Sequence, residues 1–168
     1  MEQFTTSIRM SLQSSNWYAA LFMALSMPDI CGAIENPHAG SKARYIKWFN
    51  EYLKPIYAPE TMPEQNRFSG ADCYSCRCAC LHSGMNLEKK NITRKYIFTP
   101  PVGRGGIMHR NISGNTNDSV LQLQIDIFCG EVADLVDKWY QDHLGNPVIQ
   151  QRISELMRIH WPYGHAAI

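Results

Sequence analysis

The segment Asp72–Gly84 reads Asp-Cys-Tyr-Ser-Cys-Arg-Cys-Ala-Cys-Leu-His-Ser-Gly and holds four of the chain's six cysteines, with Arg77 and His82 set among them. Two chemistries suit these residue types. Thiolates and imidazole bind zinc, and Cys73, Cys76, Cys78, Cys80 and His82 offer such ligands at close spacing. The other chemistry is RNA cleavage without a metal. A histidine titrating near neutrality can take the proton from a 2′-hydroxyl. An arginine stays charged, grips phosphate in a bidentate way, and can stabilise the charge that builds on the phosphorus-centred transition state.

The local frame decides between them. Ser69-x-x-Asp72 is a capping-box start and Gly84 a natural stop, so the segment is expected to be a helix of about four turns. On that helix Cys73, Cys76 and Cys80 fall at i, i+3 and i+7 and share one face, while Cys78 lies off it. A thiol stripe of this kind is what a buried helix face looks like, since free cysteine is among the most buried residue types. Structural zinc sites usually join two knuckles from separate segments. Here there is one dense cluster, and Cys31 and Cys129 stand alone. Packing is therefore the preferred reading of the thiols, with the set Cys73, Cys76, Cys78, Cys80 and His82 kept as the metal alternative. Arg77 and His82 are five residues apart, about 140° around an α-helix. One helix does not focus both on one phosphate, whereas two copies about a two-fold axis could share a cleft. His82 sits in the last turn, where the helix dipole favours its protonated form.

The rest of the chain must carry this helix. At 168 residues, with 45% hydrophobic and 18% charged residues, it is expected to be one domain over 1–168 with a core that needs no disulfides. The net charge of +1 will not hold it on a polyanion, so any such site must come from local clustering. Phe4, Ile8 and Leu12 mark a first helix. Trp17–Met27 is apolar nearly all round, too short at that length to span a bilayer, and is expected to end where Pro28 starts a further short helix through Ile34. Ser41–Lys54 is amphipathic, with Tyr45, Trp48, Phe49 and Tyr52 on one face, and Pro55, Pro59 and Pro63 mark a loop. Tyr96–Phe98, Ile107–Ile112 and the alternating Val120–Asp126 read as three strands. Phe128, Val132, Leu135, Val136 and Trp139 stripe another helix. Asn146-Pro147 opens the last, which carries Ile149, Ile153, Leu156 and Met157. The expectation is a mainly α bundle with a small antiparallel β insert, about residues 94–126, before the C-terminal helices. With no leader or membrane span in view, the thiols are expected reduced and the protein cytoplasmic.

Arg77-Cys78-Ala79-Cys80-Leu81-His82 resembles the R-x4–6-H hallmark of the HEPN superfamily. Arg-Cys-Ala-x-Leu-His-x-Gly is similar to the variant in many small bacterial members, including ones with a strand insert before the final helices. The match covers about fifteen residues and is otherwise architectural. The resemblance implies a helical bundle that forms a homodimer with both motif copies in one cleft. It also implies a metal-independent endoribonuclease with no cofactor, in which Arg77 stabilises the phosphate and His82 is the acid/base. Such proteins act in toxin–antitoxin, phage-defence or RNA-processing settings, so RNA and a cognate antitoxin or other protein are the implied partners. Other members bind RNA, nucleotides or proteins without catalysis. The chain departs from the family in placing Cys78 where a polar residue, commonly Asn, follows the arginine.

Further candidates surround the pair. Asp72 and Tyr74 lie within a turn of Arg77 and could orient it or touch RNA, although Asp72 is equally a capping group and Tyr74 a packing one. Asp29 could support the cleft, or act as the first-turn carboxylate of a helix starting at Pro28. Lys89, Lys90, Arg94, Lys95, Arg104 and Arg110 form a basic stretch that could follow a phosphate backbone or simply be solvated surface. A Cys–His hydrolase lacks an oxyanion hole and an orienting third group.

Overall fold

The computed structural model describes residues 1–83, 95–103, 106–114 and 120–160. The stripe of Phe4, Ile8 and Leu12 forms α1 (Glu2–Gln13), with Ile8 fully buried. Asn16 then caps α2 (Trp17–Glu35), its side chain accepting from the Ala19 amide at 3.3 Å. α2 is the central helix and packs against α1, α3 (Ser41–Trp48), α5 (Gly70–Cys78), α6 (Ile125–Asp142) and α7 (Pro147–Ser154).

α2 departs from the expected break. It runs straight through Pro28 as one helix. An interior proline costs roughly 3 kcal/mol of helix propensity, but Met27, Pro28 and Cys31 are all buried, so packing on both sides of the proline outweighs the local cost. The continuous helix has 19 residues and a mean hydropathy of 1.4, long and apolar enough by length and composition to cross a membrane. This corrects the shorter span expected from Trp17–Met27. Half of that window is buried inside the bundle, as a core helix requires.

The amphipathic segment after Gly40 also continues further than expected. α3 passes into a π-helical turn, Phe49–Leu53, and then without a break into α4 (Lys54–Tyr57), which holds Pro55. Tyr45, Trp48, Phe49 and Tyr52 are buried, as the sequence pattern requires. Ser69 and Asp72 form a full capping box at the start of α5, and α5 ends in a second π-helical turn, Ala79–Ser83.

The insert is a three-stranded sheet of order β1-β3-β2, made of β1 (Lys95–Thr99), β2 (Asn111–Ser113) and β3 (Val120–Gln124). It is mixed. β2 pairs β3 antiparallel as expected, but β1 pairs β3 in parallel, with Tyr96 opposite Leu121 and Phe98 opposite Leu123. The stretch between Thr99 and Val120 is long enough for the crossover that a parallel pair needs. Of the expected second strand, Ile107–Ile112, only Asn111 and Ile112 pair, in a β2 that runs on to Ser113, and Ile107 is exposed. β3 leads directly into α6, which claims Ile125 and Asp126 from the expected strand. Leu121 and Leu123 are buried, and an aromatic cluster of Phe68, Tyr96, Phe98 and Phe128 joins the sheet to the helices. Asn146 caps α7 by accepting from the Val148 and Ile149 amides. That helix stops at Ser154, so Leu156 and Met157 lie beyond it, Met157 largely exposed.

Candidate functional site

Asp29 organises the surroundings of Arg77. Because α2 runs through Pro28, Asp29 sits in the middle of a helix rather than in a first turn, so it is not the dipole partner considered from the sequence. Its Oδ1 receives Nε of Arg44 at 2.7 Å and its Oδ2 receives Nη2 of Arg77 at 3.0 Å. Ser41 Oγ lies 3.1 Å from both oxygens. One carboxylate thus ties α2 to α3 and α5. A turn further along α2, a Cβ on Gly32 would lie 2.8 Å from the Arg44 carbonyl oxygen. Only glycine lets the two backbones approach this closely, and that approach brings Arg44 to Asp29. The Asp29, Arg44 and Arg77 side chains are 14%, 22% and 17% exposed, so water screens these bridges less than it screens ordinary surface pairs.

Tyr74 supports Arg77 from the other side. The Arg77 guanidinium carbon lies 6.0 Å from the Tyr74 ring centre, and Tyr74 meets Tyr45 edge to face at 5.3 Å. Tyr45 is fully buried and anchored to the Leu25 carbonyl and the Cys73 sulfur. Cys78 Sγ lies 4.0 Å from Arg77 Nη1. A hydrogen bond with Cys78, then burial, raises the Tyr74 hydroxyl pKa. Of the expected supporting residues, Tyr74 and Cys78 are therefore beside Arg77. Asp72 is occupied elsewhere, because its carboxylate accepts from the Ser69 amide at 2.9 Å and from Ser69 Oγ at 2.6 Å as the capping group of α5.

Arg77 lines an open cleft of about 520 Å³ between α2, α3 and the end of α7. Among the described residues its charged lining is Asp29, Arg44, Arg77, Arg152 and Glu155, three guanidinium groups against two carboxylates. Ile30, Ile34 and Leu156 supply apolar wall. Among the described residues the lining thus carries one more cation than anion, beside this apolar wall. Arg44 and Arg152 were not singled out in the sequence. Arg44 lies on the polar side of an amphipathic helix, and Arg152 arrives from a distant helix, so no local spacing marks either.

The backbone of His82 belongs to the π-helical turn Ala79–Ser83; its side chain lies outside the described residues. In an i→i+5 turn each residue advances by less than the 100° of an α-helix. The backbone position of residue 82 is therefore rotated closer to that of residue 77 than the 140° of a regular helix would put it.

The cysteines sort as a packing stripe would. Cys73 and Cys76 are fully buried, and Cys80 is half-buried against the core. Burial pushes the Cys73 thiol up to about 12 and raises Cys76 and Cys80 as well. Among the described residues, no group of three or more His, Cys, Asp or Glu side chains could hold a metal ion.

Of the basic stretch, only the Arg110 side chain is among the described residues. Lys89, Lys90, Arg94 and Arg104 lie outside the described residues, as does the side chain of Lys95, whose backbone opens β1. Arg110 is bent back onto the bundle, donating Nη1 to the Ile56 carbonyl at 2.8 Å, with its guanidinium carbon 6.0 Å from the Tyr57 ring centre. It adopts a left-handed φ of 55°.

That turn delivers His109, which the sequence reading did not single out, to a polar network. His109 Nδ1 accepts from the Gln124 amide at 3.2 Å, so the neutral ring carries its proton on Nε2, 3.2 Å from the Tyr57 hydroxyl. Tyr57 in turn donates to Glu131. Burial, then the Arg110 charge, pushes the His109 pKa down to about 4. Burial and Glu131 push the Tyr57 hydroxyl well above its usual range. The network pins the sheet to α4 and α6. The chain matches no protein-family model, no curated protein and no solved structure.

Proposed function

We propose that the cleft beside Arg77 binds RNA and that the protein is a HEPN-like, homodimeric, metal-independent endoribonuclease. One observation carries this reading. Arg77, the arginine of the R-x4-H motif, lines an open, cation-rich cleft and is held there by Asp29 and the Tyr74 ring. In the reaction, His82 takes the 2′-hydroxyl proton as the 2′-oxygen attacks the adjacent phosphorus. The bond to the 5′-oxygen breaks, and that oxygen leaves with a proton returned by a protonated imidazole. The products are a 2′,3′-cyclic phosphate and a 5′-hydroxyl. Arg77 stabilises the charge on the non-bridging oxygens. Toxin–antitoxin or defence settings belong to the same proposal.

A second reading is a non-catalytic module that holds RNA, a nucleotide or a protein partner. It is favoured by Arg77 already being engaged with Asp29, and by Cys78, a weak hydrogen-bond partner, next to the arginine. The two separate in one experiment. Purified protein is incubated with labelled RNA and excess chelator. Cleavage that persists in chelator, leaves cyclic phosphate ends, and falls at least about a hundredfold in both Arg77→Ala and His82→Ala is the expected result. Binding without turnover across several RNAs would leave the second reading; turnover that survives His82→Ala would remove the first.

A further inference from the structure

Arg152 differs from the other two arginines of the cleft in how its hydrogen bonds are used. Arg44 commits Nε and Arg77 commits Nη2 to the Asp29 carboxylate. Arg152 reaches across from α7 and donates through Nη1 to the carbonyls of Ile34, at 2.6 Å, and Glu35, at 3.2 Å. These are the last two residues of α2, whose free carbonyls and dipole favour a cation at that point. A guanidinium has five N–H donors. Among the described residues, Arg152 makes no ion pair and no hydrogen bond through Nε or Nη2. The nearby carboxylate of Glu155 accepts instead from Gln151. Arg152 is thus oriented by one nitrogen and lines the cleft it shares with Arg77, while its Nε–Nη2 edge, which can form two parallel bonds to a phosphate, makes no hydrogen bond among the described residues.

We infer that Arg152 forms a second phosphate subsite in the cleft, gripping the RNA backbone phosphate that neighbours the one at Arg77. This rests on the reading that the cleft takes RNA. It adds that the cleft spans more than one nucleotide and that α7 sets its register. Arg152 touches substrate but not the reacting atoms, so it acts on binding rather than on the chemical step.

The test uses a fluorescent single-stranded oligonucleotide with 2′-O-methyl groups throughout, which binds but has no 2′-hydroxyl to react. Anisotropy titrations are run from low to moderate salt. Arg152→Gln is expected to weaken binding by about tenfold and to flatten the slope of log K against log salt by about 0.7, the loss of one phosphate contact on a single strand. Lys138→Gln, the same charge change on α6, should alter neither. On cleavable RNA, Arg152→Gln should raise KM and leave kcat unchanged. Inorganic phosphate at millimolar concentration should compete weakly if the subsite reads phosphate alone. Glu155→Gln does not disturb the α2 bonds and so serves even if Arg152→Gln loses its circular dichroism. By removing the carboxylate from the same cleft it should tighten binding about threefold. Wild-type affinity and slope in folded Arg152→Gln, or unchanged affinity in Glu155→Gln, would overturn the subsite and leave the nuclease reading standing. Failure of the wild-type protein to bind the oligonucleotide at all would overturn both.

Discussion

Asp29 shows how one residue's meaning depends on where a helix ends. As a first-turn carboxylate it would be a minor dipole partner; in the middle of α2 it bridges Arg44 and Arg77 and also receives Ser41. Its two effects can be separated by substitution. Asp29→Ala leaves two partly buried guanidinium groups without their counter-charge, and should cost roughly 2 kcal/mol in urea denaturation. Asp29→Asn keeps acceptor capacity and should cost less. Because it raises the cleft's net charge by one, on the proposed RNA-binding reading it should also bind RNA more tightly and with a steeper salt dependence. Equal loss of stability in the two variants would mean that the carboxylate's charge is irrelevant to the bridge. Much around Asp29 was legible in the sequence. The Ser69/Asp72 box is complete, and the stripe of Cys73, Cys76 and Cys80 faces the core. What misled was Pro28. Local propensity ends a helix there, and only the packing of α1, α3 and α6 around α2 reverses that, which no window of sequence contains.

Among the elements, the helices were readable and the sheet only partly so. Periodicity in α1, α3 and α6 follows directly from which residues must be buried. Alternation in β3 gives a strand but not its neighbours, so the parallel pairing with β1 could not be read. Nor could the junction where the sheet meets α4 and α6 through His109, Tyr57 and Glu131. That junction has a titration signature. His109 is held neutral with Nδ1 as an acceptor, and its pKa is pushed down to about 4, below the roughly 6.5 of an unfolded chain. The unfolded state therefore binds the extra proton first. Stability contributed by His109 is fully present above about pH 6.5 and is lost as pH falls towards about 4. Charging the ring would also turn an Nδ1–H against the Gln124 N–H. The groups facing it are Tyr57, Arg110, Asp126 and Glu131, and all four are shared by wild type and a His109 variant. The useful quantity is therefore the difference between wild type and His109→Gln in urea stability across pH 4 to 7. It should be largest at pH 7 and shrink on acidification. A difference that stays constant with pH would show that His109 contributes shape alone.

For the whole molecule, the proposed nuclease reading raises the question of whether one chain would hold a complete active site. The π-helical turn rotates the backbone of residue 82 towards that of residue 77, but the R-x4-H spacing still spreads the two positions along and around one helix. A shared cleft in a two-fold dimer resolves this if each phosphate takes Arg77 from one copy and His82 from the other. Mixing variants distinguishes the arrangements. Arg77→Ala and His82→Ala homodimers should each be inactive. After co-refolding in equal amounts, half of the dimers carry one copy of each. In such a dimer one site combines both substitutions, while the other combines the intact Arg77 and the intact His82. The mixture should therefore recover about a quarter of wild-type activity, the product of half the dimers and half their sites. If Arg77 and His82 of the same copy act together, every site in the mixture lacks one group and activity stays at the level of the separate variants. Light scattering at the assay concentration fixes the stoichiometry on which the quarter depends. A monomer that nonetheless cleaves RNA would place both groups on one chain and remove the need for the two-fold axis.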